Sequence, residues 1–162
     1  MAIAASPEAI QLRAFHDYQL GPGREGERLD VYPDSLGFLT VGIGHKVLSQ
    51  DNLRQGDVIT QQQSDAFFAR DGAAALSVAR QQMTQAGITD PNFLSPLASV
   101  IFQLGPNWNA PPNGFVNTWA DIMRGNYRQA AMDAADSDWY DQTPNRVMDF
   151  QNALRALPPK PQ

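Results

Sequence analysis

A chain of 162 residues with 43% hydrophobic content can bury a core of its own and is too apolar for intrinsic disorder. Twelve Lys and Arg against 17 Asp and Glu leave a formal net charge of −5, which argues against sequence-independent binding to phosphate backbones and so against nucleic acid as a partner. The absence of cysteine removes disulfides and thiolate metal sites, so the fold must rest on packing.

Ser6 followed by Pro7 reads as an N-cap and first helical position, and predicts a helix over about 7–20 with an apolar stripe of Ile10, Ala14, Phe15 and Tyr18. Gly21-Pro22-Gly23 ends it. Leu29 and Val31 alternate with polar residues, Tyr-Pro-Asp-Ser-Leu-Gly supplies turn chemistry, and 38–43 reads as a second strand, which together predict a small hairpin. Thr60 with Gln63 forms a capping-box pattern that opens a long helix over about 61–86, closed by Gly87. Ser95-Pro96 opens a strongly apolar helix halted by Gly105-Pro106. Asn113 is expected to start a helix ending at Gly125, Asn126 with Gln129 to cap the next, and Thr143-Pro144 to begin a last one to about Arg155. The tail from Leu157, with three prolines, is expected to be frayed. The fold class is therefore α+β, mainly helical, with one small antiparallel sheet in the N-terminal lobe. It is expected as a single domain over 1–162: a hairpin lobe at about 25–60, a linking helix at about 61–86, and a helical lobe at about 91–156 on which helix 7–20 packs.

The sequence contains no Walker-type phosphate loop, no Gly-x-Gly-x-x-Gly after a strand and no Gly-x-Ser-x-Gly elbow. His16 and His45 lie on unrelated elements without a third ligand at metal spacing, so no metal site is expected. What remains is a set of carboxylates around the hairpin. Hydrolysis of a glycosidic bond needs one protonated carboxyl to assist the leaving oxygen and one ionised partner across the sugar. Glu25, just before the first strand, and Asp34, in its turn, can play those parts. Asp after Pro is also a common turn former that caps its own backbone, and Thr40 is an ordinary strand residue, so spacing alone leaves both readings open.

The run Glu25-Gly-Glu-Arg-Leu-Asp-Val-Tyr-Pro-Asp34, followed by Gly37-Phe-Leu-Thr40-Val-Gly-Ile-Gly-His45, resembles the active-site hairpin of phage-type lysozymes, glycoside hydrolase family 24, of the T-even phage kind. Three further segments match in the same order: Gly56 to Thr60, Phe102-Gln103-Leu104-Gly105, and Trp139-Tyr140 with Gln142-Thr143-Pro144-Asn145-Arg146. The resemblance implies a lysozyme-like fold of two lobes joined by a long helix. It also implies a muramidase, an enzyme that cuts the β-1,4 bond between N-acetylmuramic acid and N-acetylglucosamine of bacterial peptidoglycan with inversion and without metal or organic cofactor. By the same resemblance Glu25 is the general acid, Asp34 the carboxylate that activates water, and Thr40 the hydroxyl that holds that water. His45 and Asp71 form a structural pair, and Arg146 faces the catalytic glutamate. The substrate-side positions fall on Lys46, Phe102, Gln103, Thr118 and Asp133.

The chain departs from the family in five respects. Gly21-Pro22-Gly23 separates Glu25 from the preceding helix and sets it on a loop, where Glu27 is a rival acid. Lys46 stands where the family has an apolar residue and Asp133 where it has an amide. The C-terminal aromatic helix is replaced by the Pro-rich tail. The chain is acidic, so the anionic bacterial envelope does not attract it, which suggests delivery by a larger assembly or partner. The N-terminal residues lack the basic segment and long apolar run of a signal peptide, and no stretch of roughly 18 apolar residues predicts a membrane span. The expected setting is synthesis in a host cytoplasm and action on the periplasmic wall after holin release, virion delivery or secretion, as a monomer or as a module of a larger protein. Two other readings stay open: a lytic transglycosylase, against which the retained Asp34 and Thr40 weigh, and a non-catalytic peptidoglycan-binding virion component.

Overall fold

A computed structural model describes residues 6–160. The chain forms two compact units, Met1–Ala74 and Ala75–Gln162, and the boundary falls inside the long helix.

The first unit opens with α1, Pro7–Gln19, where Ser6 Oγ accepts the Ala9 N–H at 3.1 Å, as its sequence signature predicts. The buried face is not the expected stripe. Phe15 and Gln19 are buried, whereas Ile10 is 58% exposed and Ala14 is also exposed. The face is chosen by the partner: Phe15 and His16 pack against Phe68, with ring centroids 5.5 and 5.2 Å away. Helix α1 falls within the first unit.

The sheet follows as β1 (Arg28–Pro33), β2 (Leu39–Gly42) and a two-residue β3 (His45–Lys46), antiparallel in the order β1-β2-β3. Tyr32 lies opposite Thr40, and Thr40 opposite Lys46. Val31, Val41 and Ile59 form one core cluster of this unit, with Leu29, Leu39, Val47, Leu53 and Phe67 packed on them. The outer margin of β1 is bonded to 56–59: Val31 N–H donates to Asp57 O at 2.8 Å, Gly56 N–H to Val31 O at 2.9 Å and Ile59 N–H to Leu29 O at 2.8 Å.

The long helix α2 spans Gln61–Ala86, and its capping box forms as predicted. Thr60 N–H donates to Gln63 Oε1 at 2.8 Å and Gln63 N–H to Thr60 Oγ1 at 3.1 Å. Gly87, at φ +68°, supplies the left-handed residue that ends it.

The second unit is helical: α3 (Leu94–Leu104), α4 (Val116–Arg124), α5 (Tyr127–Ala135), α6 (Asp138–Gln142) and α7 (Pro144–Arg155). Phe150 is 1% exposed and takes the rings of Phe93, Trp108 and Trp139 at 5.7–6.1 Å. Three local expectations fail here for identifiable reasons. Helix α4 begins at Val116, because residues 108–115 form hydrogen-bonded turns in which Gly114 N–H donates to Ala110 O at 2.7 Å. Asn126 precedes α5 without capping it, since its side chain bonds the Asp121 carboxyl while Gln129 Nε2 goes to Asp133 at 3.0 Å. The tail is non-helical as expected but docked: Leu157 is buried and Lys160 Nζ donates to Met123 O at 2.8 Å, satisfying a carbonyl at the C-terminal end of α4.

Candidate active site

The loop between α1 and β1 carries Glu25, half-buried, and it is pinned on both sides of that residue. Arg24 N–H closes a turn on Gly21 O at 3.2 Å, and its guanidinium lies 3.6 Å from the Tyr18 ring centroid and donates to Tyr18 O at 3.2 Å. Gly26 N–H returns to Gln19 O at 2.9 Å, the end of α1. The Gly-Pro-Gly break thus lengthens the path from helix to Glu25 without releasing it.

Asp34 fills the turn between β1 and β2. Its Oδ1 accepts the N–H groups of Leu36 and Phe38, both at 2.9 Å, while Asp34 N–H donates to Phe38 O at 2.8 Å. The turn-forming reading of this residue is therefore correct as far as one oxygen goes, and Oδ2 carries none of these bonds. Thr40 is 4% exposed, and its hydroxyl donates to Phe38 O at 3.0 Å, so the Oγ1 lone pairs are left to accept. Tyr32, directly across from Thr40, has its phenol pKa raised, first by burial and then by the negative charges of Glu25, Asp34 and Asp30, with Arg28 opposing. Tyr32 therefore marks a point that both candidate carboxylates reach electrostatically, and periodicity arguments pass over it.

Glu27, the rival acid, is committed elsewhere. Its Oε2 accepts from Ser64 Oγ at 2.7 Å and Gln61 Nε2 at 2.9 Å, which ties the loop to the first turn of α2.

His45 is 3% exposed and held from both sides: Nδ1 lies 2.6 Å from Asp71 Oδ2 and Nε2 lies 2.8 Å from Asp51 Oδ2. Its ring stacks on Phe67 at 4.0 Å and 7°. Burial disfavours the charged imidazole, yet the hydrogen bonds to Asp71 and Asp51 prevail and raise its pKa. Burial likewise pushes Asp51 up, but the Leu48 N–H and His45 bring it below the usual carboxylate value. The family resemblance supplies Asp71. It does not supply Asp51, although the position of that residue three after Leu48, whose N–H it accepts at 2.8 Å, is a local capping signal.

The substrate-side positions fare unevenly. Lys46 is exposed on β3, with its Nζ 5.0 Å from the Phe38 ring centroid. In the second unit Phe102 is half-buried on α3. The Gln103 amide is tied internally, its Oε1 accepting from Trp139 Nε1 at 3.0 Å and its Nε2 donating to Thr143 Oγ1 at 3.2 Å. Thr118 is only 2% exposed, because α4 buries the stripe Thr118 and Ile122, so it offers no open surface to a saccharide. Asp133 shares a hydrogen bond with Asp121, which is the largest cause of the raised Asp121 pKa. Arg146 Nη2 is anchored to Ser99, with O at 3.1 Å and Oγ at 2.9 Å. Among the described residues no helix is long and apolar enough to cross a membrane.

A mainly helical α+β chain whose β1–β2 hairpin carries an aspartate turn and a buried threonine, with a pinned glutamate before it, has the frame of a lysozyme-class glycoside hydrolase. The chain belongs to the phage lysozyme family, whose model matches residues 23–150. It is 31% identical over 126 residues to the peptidoglycan hydrolase gp36 of Pseudomonas phage phiKMV, an alignment covering 78% of this chain and 14% of that protein. It is 27% identical over 144 residues to the probable T4-type lysozyme 2 of Dictyostelium discoideum, covering 75% of this chain and 83% of that one. An endolysin from Acyrthosiphon pisum secondary endosymbiont phage 1 is 36% identical over 81 residues, about half of each chain.

Proposed function

We propose that this chain is a muramidase that hydrolyses the β-1,4 bond between N-acetylmuramic acid and N-acetylglucosamine in bacterial peptidoglycan, with inversion at the anomeric carbon. Glu25 protonates the departing glycosidic oxygen. Water donates one hydrogen bond to Asp34 Oδ2 and one to Thr40 Oγ1, and its lone pair then attacks the sugar from the face opposite the leaving group. Asp34 takes the proton that this water loses. Inversion requires room for the water, so the two carboxyls work at a separation of roughly 6.5–9.5 Å.

The observation that carries the reading is the division of labour at Asp34: two backbone N–H groups fix Oδ1, which orients the other oxygen without consuming it. A positioned carboxylate of this kind is what general base catalysis needs. The enzyme works as a monomer or as a module of a larger phage or secreted protein, and holin release, virion delivery or secretion brings it to the wall.

Glu25→Gln is expected to abolish release of reducing ends from purified peptidoglycan with the melting temperature nearly unchanged. Release at the parental rate refutes the assignment. Products short by one water in mass spectrometry indicate a transglycosylase instead. Pelleting with peptidoglycan without turnover by the parent chain indicates a binding component.

A further inference from the structure

The face of the sheet that carries Thr40 shows two aromatic rings, each with a cation over it. Arg28 lies over Tyr32, its guanidinium carbon 4.3 Å from the centroid, and Lys46 lies over Phe38 at 5.0 Å. The two cations differ in one respect. Arg28 is neutralised by Asp30, with Nε and Nη2 each 2.8 Å from a carboxylate oxygen. Lys46 has no carboxylate partner among the described residues, in a chain whose net charge is −5.

Register fixes where that unmatched charge sits. Lys46 is directly across from Thr40, and Thr40 directly across from Tyr32, so the three form one row on one face. Opposed residues in antiparallel strands are about 5 Å apart, which leaves the lysine one strand from the hydroxyl that holds the attacking water in the mechanism above. Phe38 precedes Thr40 by two residues and shares its face. It is 55% exposed, and its backbone is fixed by two hydrogen bonds to Asp34. The ring steadies the ammonium by its quadrupole without cancelling the charge. The result is a preplaced, exposed, unneutralised cation one strand from Thr40.

Of the two sugars in the proposed substrate only N-acetylmuramic acid bears an acidic substituent, the lactyl ether that ends in a carboxylate or continues into a peptide with carboxylates of its own. We propose that Lys46, seated on Phe38, is an anion subsite for a carboxylate of this muramyl substituent, and that it discriminates acidic glycan strands from neutral ones. The inference rests on the muramidase reading, which supplies the substrate.

The test is a binding titration in the Glu25→Gln background at low ionic strength, so that the strands stay uncut. Three probes are used: peptide-bearing glycan strands, strands stripped of peptide to expose lactyl carboxylates, and strands whose carboxylates are converted to methyl amides. Lys46→Gln is expected to weaken binding of acidic strands about threefold more than of amidated ones, the size of an exposed charge pair. Lys46→Arg and moderate salt provide the controls: arginine restores the preference and salt removes it. A larger effect on peptide-bearing strands assigns the stem peptide as the source of the carboxylate, and a larger effect on stripped strands assigns the lactyl group. Equal losses on acidic and amidated strands, or no loss, overturn the subsite. Failure of the parent chain to release reducing ends overturns the muramidase reading by a separate measurement.

Discussion

His45 and Asp71 join the sheet to the long helix, with Nδ1 and Oδ2 2.6 Å apart, and Asp51 doubles the connection from the other side of the ring. The raised pKa of His45 makes its contribution to stability fully present below the unfolded value of 6.5, and the contribution is lost as pH rises through the higher folded value. Asp51, lowered from 3.8, contributes above that value and loses its contribution as pH falls through the lower folded one. Thermal melts of the parent and His45→Gln should therefore differ most between about pH 4 and 6, with the gap narrowing as pH rises above the unfolded histidine value. A gap that widens as pH rises contradicts the clamp.

Asp34 serves both the turn and the proposed chemistry, and two substitutions separate the roles. Asp34→Asn keeps an acceptor for Leu36 and Phe38 but loses the base, so activity should fall by about 10²-fold or more with little change in melting temperature. Asp34→Ala should lose both, with stability reduced by about 1–3 kcal/mol. If asparagine retains near-parental turnover, Asp34 is a turn former only.

Glu27 provides the internal control for the acid. Because its carboxylate is held by Ser64 and Gln61, Glu27→Gln should retain turnover within about twofold, whereas Glu25→Gln should not. Loss of turnover in Glu27→Gln with normal thermal stability would transfer the acid role to Glu27.

Gln103 is expected to act through packing. Removing its amide in Gln103→Leu leaves Trp139 Nε1 without its acceptor, at a cost of about 1–3 kcal/mol, while KM for peptidoglycan stays near the parental value. An unaltered melting temperature with a raised KM would place Gln103 on the substrate.

Short-range chemistry is legible in the amino-acid sequence itself: the Ser6 cap, the Thr60–Gln63 box, the glycine stops at 87, 105 and 125, and the hairpin turn around Asp34 all form where their residues predict. The features that differ from expectation depend on partners outside the local motif, two of them far along the chain. The face of α1 is set by Phe68, the missing cap at Asn126 by Asp121, and the docked tail by a carbonyl at Met123. The site divides in the same way. Family likeness supplies Glu25, Asp34, Thr40, His45 and Asp71, but Asp51, Tyr32 and Phe38 emerge only from register and contact. Thr118 is the opposite case, a position carried over by alignment whose burial no local pattern announces.

The bonding of residues 56–59 along β1, together with β3 along β2, has a consequence for handling the protein. A free strand margin is a template on which another chain can build a shared sheet. Here the outer margin of β1 is occupied by its own downstream segment and β2 is capped by a strand of two residues. The hairpin that bears Asp34 and Thr40 is thereby denied to foreign strands, and concentrated preparations should not cross-link through it into fibrous aggregates.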